Sequence, residues 1–168
     1  MRLVRMLLAL VVTGLVTAST ALAVGPTSVT RTGGLHFVGA PDVTATKTAD
    51  SAFLTATGEV AGAGSTGGTA DLSATAEVTR GCINRGSKDQ QPSGLQRSFQ
   101  ATSGTVEFPT TRQGRGTFTV STEPITAAPF TCPDQMTPVL VSVLFTDVTL
   151  TVTSQTGTTT ATFPDIDP

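Results

Sequence analysis

The chain has no tryptophan and no tyrosine, one histidine (His36), one asparagine (Asn84) and two cysteines among its 168 residues. Each shortage closes off some chemistry. Sugar-binding and single-strand-binding modules stack their ligands on flat aromatic faces. Only eight Phe are left for that task, and their spacing places most of them in a core. One His and two Cys do not make up three or four zinc ligands. A Ser-His-Asp site would need His36, but Leu35-His36-Phe37-Val38 reads as a strand and no G-x-S-x-G elbow accompanies it. A half-buried strand histidine is the simpler reading. Twelve acidic residues could supply a glycosidase pair, but no spacing marks one. Asp165 and Asp167 could offer oxygens to calcium; with no D-x-D-x-D-G loop they read as a frayed tail. The sequence predicts no enzyme, no cofactor and no metal.

Positive charge is scarce as well. Both arginines of the first five residues, Arg2 and Arg5, precede an apolar run from Met6 to Val16, and Ala21-Leu22-Ala23 forms a small-x-small site. This is the pattern of a secretory signal peptide over residues 1–23, cut after Ala23. The apolar run is short for a membrane-spanning helix, so no stable membrane insertion is expected after cleavage. No cysteine follows for lipid attachment, Arg2 and Arg5 are not adjacent, and Phe163–Pro168 carries no sorting motif. The expectation is a freely secreted chain, one domain over residues 24–168. That domain holds eight basic and twelve acidic residues, a net charge of −4, so nucleic acid is a poor partner.

Thr, Ala, Gly and Val dominate what remains. β-Branched Thr and Val favour strands because they fit a pleated surface. Period-two alternation recurs. In Ser51–Ala61 the even positions are Ala52, Leu54, Ala56, Gly58 and Val60; in Thr69–Thr79 they are Ala70, Leu72, Ala74, Ala76 and Val78. The two segments match at an offset of eighteen, which two neighbouring strands in a Thr/Ala-rich chain would also produce. Between them lies Gly62-Ala63-Gly64-Ser65-Thr66-Gly67, formally G-x-G-x-x-G. A dinucleotide site needs a helix after the glycines; here a strand pattern follows, so the stretch reads as a hairpin connection.

Further strands are predicted at Leu35–Thr46, as the first and broken at Gly39-Ala40-Pro41, and at Ser98–Phe108, kinked at Ser103-Gly104. Others fall at Gly116–Thr122, Val139–Phe145 and Thr158–Phe163. The Val139–Phe145 run reads as a central strand covered on both faces. The apolar phase shifts across Thr146-Asp147 before Val148, Leu150 and Val152, which predicts a bulge or a strand break. Two segments look irregular: a polar loop from Asn84 to about Arg97, and Glu123–Pro138 with four prolines. Seven or eight short strands without helices predict an all-β antiparallel β-sandwich of immunoglobulin-like or related topology, with a small barrel as the alternative.

An even cysteine count in an exported chain predicts one Cys82–Cys132 disulfide. A redox or metal role would need a C-x-x-C pair or more ligands. The bridge would join the two irregular segments and, by closing a loop of about fifty residues, contribute roughly 4 kcal/mol in the entropic account.

The strings Leu35-His36-Phe37-Val38-Gly39, Thr57-Gly58-Glu59-Val60-Ala61-Gly62, Cys132-Pro133-Asp134 and Phe145–Val152 together give the chain a resemblance to a family of small secreted actinobacterial proteins. The resemblance covers most of the chain after residue 23. It implies secretion and the disulfide, but no activity and no functional residues. Relatives often carry Asn and Trp after the Cys-Pro pair, where this chain has Gln135-Met136-Thr137. The function expected is non-catalytic: binding or display, with a protein or a cell-envelope component as partner, through the two bridged segments. Two alternatives stand beside it. One is a hydrolase inhibitor with a disulfide-pinned loop; the other is an enzyme whose site has no sequence signature.

Overall fold

In the computed structural model, residues 19–20, 23–84, 86 and 91–168 are described. Most of the predicted signal peptide lies outside them. Eleven strand segments follow in order: β1 (Ser19–Thr20), β2 (Ser28–Gly33), β3 (His36–Phe37), β4 (Asp42–Lys47), β5 (Ser51–Ala61), β6 (Gly68–Asn84), β7 (Ser93–Phe108), β8 (Gly116–Ser121), β9 (Ile125–Thr126), β10 (Met136–Ser154) and β11 (Gly157–Thr162). No helix occurs among the described residues. All pairings between strands are antiparallel, and the two sheets do not close into a barrel.

The five-stranded sheet runs β2-β11-β10-β6-β7. The other sheet centres on β5. One edge of β5 pairs with β3 and then β4, the other with β8 and then β9. These broken edges and the unpredicted β1 and β2 raise the count to eleven segments, although β10 merges two strands expected separately. Both breaks fall at prolines or glycines: Gly39-Ala40-Pro41 on one side and Pro124 on the other. Proline has no N–H to give the ladder.

The predicted alternation sets the faces. Ala52, Leu54, Ala56 and Val60 of β5 are buried, and so are Ala70, Leu72, Ala74, Ala76 and Val78 of β6. These two strands lie in opposite sheets and turn their even positions toward one core, where Phe145, Leu35, Leu54, Leu72 and Leu150 are the largest fully buried side chains. Burying one such side chain stabilises by about 1.5–3 kcal/mol. Alanines interleave with these larger groups, which is how close packing is reached between two sheets.

The stretch between β5 and β6 is accordingly not a hairpin. It carries the chain from one sheet to the other. Gly62 takes φ +75° there, and a Cβ on it would collide with the Gly34 carbonyl oxygen. Ala63 is fully buried and its N–H donates to Gly114 O (3.0 Å). The glycines serve tight crossing and close backbone approach, and the segment they lead into is β6, a strand.

β10 is one strand with two register shifts against β6. The shift between Thr146 and Thr149 is a bulge, one of the two outcomes expected across Thr146-Asp147, and not a strand break. Asp147 sits there at φ +54°, a conformation Asp tolerates better than most residues. The shift between Leu140 and Ser142 makes Val141 the extra residue. The expectation that Val139–Phe145 is covered on both faces is corrected. Val139, Leu140, Val143 and Phe145 are buried, while Val141 and Leu144 are half-buried and Ser142 is exposed. The outer face of this sheet is open to water. It carries rows of hydroxyls in register, such as Thr32–Thr158–Thr153–Thr69 and Thr30–Thr160–Thr151.

Other boundaries differ too. β2 precedes the strand expected to be first; all six of its residues are exposed, so no apolar alternation announced it. The C-terminal tail is pinned rather than frayed. Ile166 is 2% exposed, and it exchanges two backbone hydrogen bonds of 2.9 Å with Phe145. Asp165 and Asp167, on either side of it, face water.

Candidate binding groove

β7 forms one edge of the five-stranded sheet, and near its middle it touches the other sheet. A Cβ on Gly104 would collide with the Ser121 carbonyl oxygen, so glycine is what allows the two backbones to meet. This is the residue expected to kink the strand; the strand instead runs unbroken, in register with β6 from Arg97 to Phe108. Next to the contact, Glu123 N–H donates to Ser103 O (2.9 Å) and Thr102 Oγ1 donates to Glu123 O (2.7 Å).

From that seam the sheets diverge. A backbone bond spans them at Ser103, a threonine side chain at Thr102, and then the long side chain of Arg80. The Arg80 guanidinium donates to Thr126 O through Nε (3.1 Å) and Nη2 (3.0 Å) on one side. On the other side it donates to Ser98 Oγ (2.9 Å) and Gln100 Oε1 (3.0 Å). Among the described residues it has no carboxylate partner. Alternation explains the position. Arg80 continues the inward-facing even register of β6 beyond Val78, and there it meets β9, the last strand of the opposite sheet at this end.

Past Arg80 lies a groove of about 570 Å³. One wall is Gln96, Ser98, Phe99 and Gln100 of β7, and the other is Pro129-Phe130-Thr131. The Cys82–Cys132 disulfide ties the second wall to β6, with Cα atoms 5.7 Å apart. Cys82 is 4% exposed and Cys132 half-buried.

The two irregular segments are thus only partly irregular. The predicted Asn84–Arg97 loop shrinks, because β7 begins at Ser93 and pairs Ser93 with Cys82 and Gln96 with Arg80. A register shift at that point absorbs the extra residues Gly94 and Leu95. Of the rest, residues 85 and 87–90 lie outside the described residues. Within Glu123–Pro138, Ile125-Thr126 form β9 and Met136–Pro138 begin β10. What remains exposed is the turn around Ala128–Gln135, held by Thr126 Oγ1 to Ala128 O (2.8 Å), Phe130 N to Ala127 O (3.2 Å) and the bridge.

Leu95 and Phe99 are 61% and 69% exposed. Arg97 lies between them on the outer face of β7, 5.8 Å from the Phe99 ring centroid. It also forms an ion pair with Glu77 on the neighbouring strand. The hydrogen bond and the charge of Glu77 both raise the Arg97 pKa above its ordinary value.

The other residues weighed from sequence do not converge. His36 is exposed, not half-buried, and its Nδ1 lies 3.0 Å from Gly34 O. Its strand is two residues long at a sheet edge, which leaves nothing to cover it. No group of three His, Cys, Asp or Glu comes together among the described residues. One carboxylate pair does share a depression: Glu123 and Asp147, with Ser73, Thr75 and Ser103 around them. Both are exposed to water, unlike the buried acid that glycoside hydrolysis uses. No helix among the described residues is long and apolar enough to cross a membrane. No family model, curated protein or solved structure matches the chain.

Proposed function

We propose that the protein is a secreted, non-catalytic module that binds a protein or envelope component through the groove between β7 and the bridged Pro129–Thr131 turn. One observation carries this reading: Arg80, Ser98 and Gln100 hold their polar groups at the mouth of an opening whose far wall, Pro129-Phe130-Thr131, is tied to β6 by the disulfide next to it. A stapled wall loses little order on binding. Export accords with the signal-like N-terminus and with the disulfide, which persists in oxidising compartments. The groove is polar with two phenylalanines at its rim, a composition suited to a protein surface more than to a small apolar ligand.

The test is cosedimentation of the purified protein with a washed cell-envelope fraction, comparing the unaltered chain with Gln100→Lys and with Thr151→Lys on the outer face. Loss of sedimentation for Gln100→Lys alone is expected. Equal retention of all three would remove the groove from consideration.

A hydrolase inhibitor is the second reading. It is favoured by the exposed Pro133-Asp134-Gln135 turn beside Cys132. Inhibition of secreted serine or cysteine proteases at micromolar protein, abolished by Asp134→Pro, would establish it; no inhibition would end it for those enzymes.

A further inference from the structure

We infer that the protein pairs with a second copy of itself through the open edge of β7, with Phe99 on the two-fold axis. In a strand the N–H and C=O of one residue point to the same side, and that side alternates along the chain. Ser103 O points away from β6, because it accepts from Glu123 N–H. The register of β7 is unbroken from Arg97 onward. Ala101, Phe99 and Arg97 therefore present their N–H and C=O groups to the same outer side. β7 pairs with β6 alone, and no other backbone hydrogen bond reaches these three residues among those described.

The open window is bounded at both ends. Glu123 occupies the edge at Ser103. Gly94, at φ +63°, and the register shift beside it turn the chain out of line before Gln96. What is left runs from Arg97 to Ala101 and is centred on Phe99. An antiparallel copy about that centre would set Phe99 against Phe99, and Arg97 against Ala101 of the second copy. Each of these pairs exchanges two backbone hydrogen bonds. The same patch serves both partners, as a two-fold interface requires.

Edges of this kind are normally guarded by charge, proline or a bulge. Proline is absent from Ser93–Phe108, and no bulge falls within Arg97–Ala101. Arg97 is the one charge in the window, and it is already neutralised by Glu77 and laid over Phe99. It would face Ala101 of the second copy, so like charges are not opposed. Phe99 and Leu95 supply exposed apolar surface on the same strand. The pairing would also set Ser98 opposite Gln100 of the second copy on the inner face. Each groove would then gain a wall residue from its neighbour.

The experiment is sedimentation velocity on the purified oxidised protein over a micromolar concentration series, together with cysteine cross-linking. A concentration-dependent dimer is expected. Phe99→Arg should weaken it by at least about tenfold, and because Phe99 is so exposed, its thermal unfolding should match the unaltered protein at concentrations where both are monomeric. Hydrogen-bonded partners lie about 5.5 Å apart at Cα, within disulfide range. Phe99→Cys should therefore give a covalent dimer under mild oxidation. Leu95→Cys, equally exposed but opposite Ser103 of the second copy, should not. A monomer at every concentration, a dimer indifferent to Phe99→Arg, or cross-linking at position 95 as fast as at position 99 would each overturn the inference. A monomer would leave the groove reading standing, since that reading concerns a single chain.

Discussion

The two halves of β7 have the same backbone and opposite surroundings. From Thr102 to Phe108 the strand lies against the second sheet: Thr102 and Phe108 are buried and Gly104 touches Ser121. From Ser93 to Ala101 every residue but Ser98 is exposed. The difference does not come from pairing, because β6 accompanies both halves. It comes from divergence of the two sheets past the Ser103 seam, since Ala76 and Val78 beside Gln100 and Ser98 are still buried, and beyond Arg97 from length. β5, the spine of the opposite sheet, has 11 residues against 17 in β6 and 16 in β7. The longer sheet overhangs the shorter one, and the diverging end is where Arg80, the groove and the disulfide are found. A polar end on an apolar sandwich follows from divergence and unequal strands together.

This contrast can be broken at several points. The largest effect is expected at the staple of the open half. Replacing both Cys82 and Cys132 by alanine should cost about 4 kcal/mol in the entropic account, read by urea unfolding of the double variant. At the seam, Gly104→Ala sets a Cβ against backbone that cannot rotate away, and should cost roughly 3 kcal/mol. A midpoint unchanged by Gly104→Ala would mean that the two sheets do not meet there. Arg80→Met keeps the stem and removes the hydrogen bonds that span the divergence. A loss of about 1–3 kcal/mol is expected, with faster hydrogen exchange at Thr126 and Ala127 as the local signature. The smallest effect belongs to the open half itself. Gln100→Ala should stay within about 0.5 kcal/mol of the unaltered protein, while Thr102→Ala, one pair nearer the seam, loses the bond to Glu123 and costs about 1 kcal/mol. Equal costs at positions 100 and 102 would erase the distinction between the halves.

Much of the framework was legible because it depends on local rules. Even-numbered apolar residues in Ser51–Ala61 and Thr69–Thr79 predicted the buried faces of β5 and β6. The phase slip at Thr146-Asp147 predicted a bulge or a strand break, of which the bulge forms, and the parity of two cysteines predicted their bridge. Illegible features depended on what lies across space. β2 is an edge strand with no buried face, so it carries no alternation to read. The Ser93–Arg97 arm looks like polar loop until β6 is seen to extend alongside it. The glycines at residues 62–67 look the same whether they turn a hairpin or cross between sheets; only the partners of β5 and β6 decide. Ile166 looks like part of a tail until Phe145 is placed beside it.

The sequence by itself determined the all-β class, the inward and outward faces of the long strands and the disulfide. These follow from the two-residue period of a strand and from cysteine count. Tertiary structure alone decided which strands share a sheet, where the shorter sheet ends and where Arg80 emerges. The groove exists because the sheets diverge beyond the Gly104 seam and one then outruns the other, and both are properties of pairing between distant segments that no local pattern encodes.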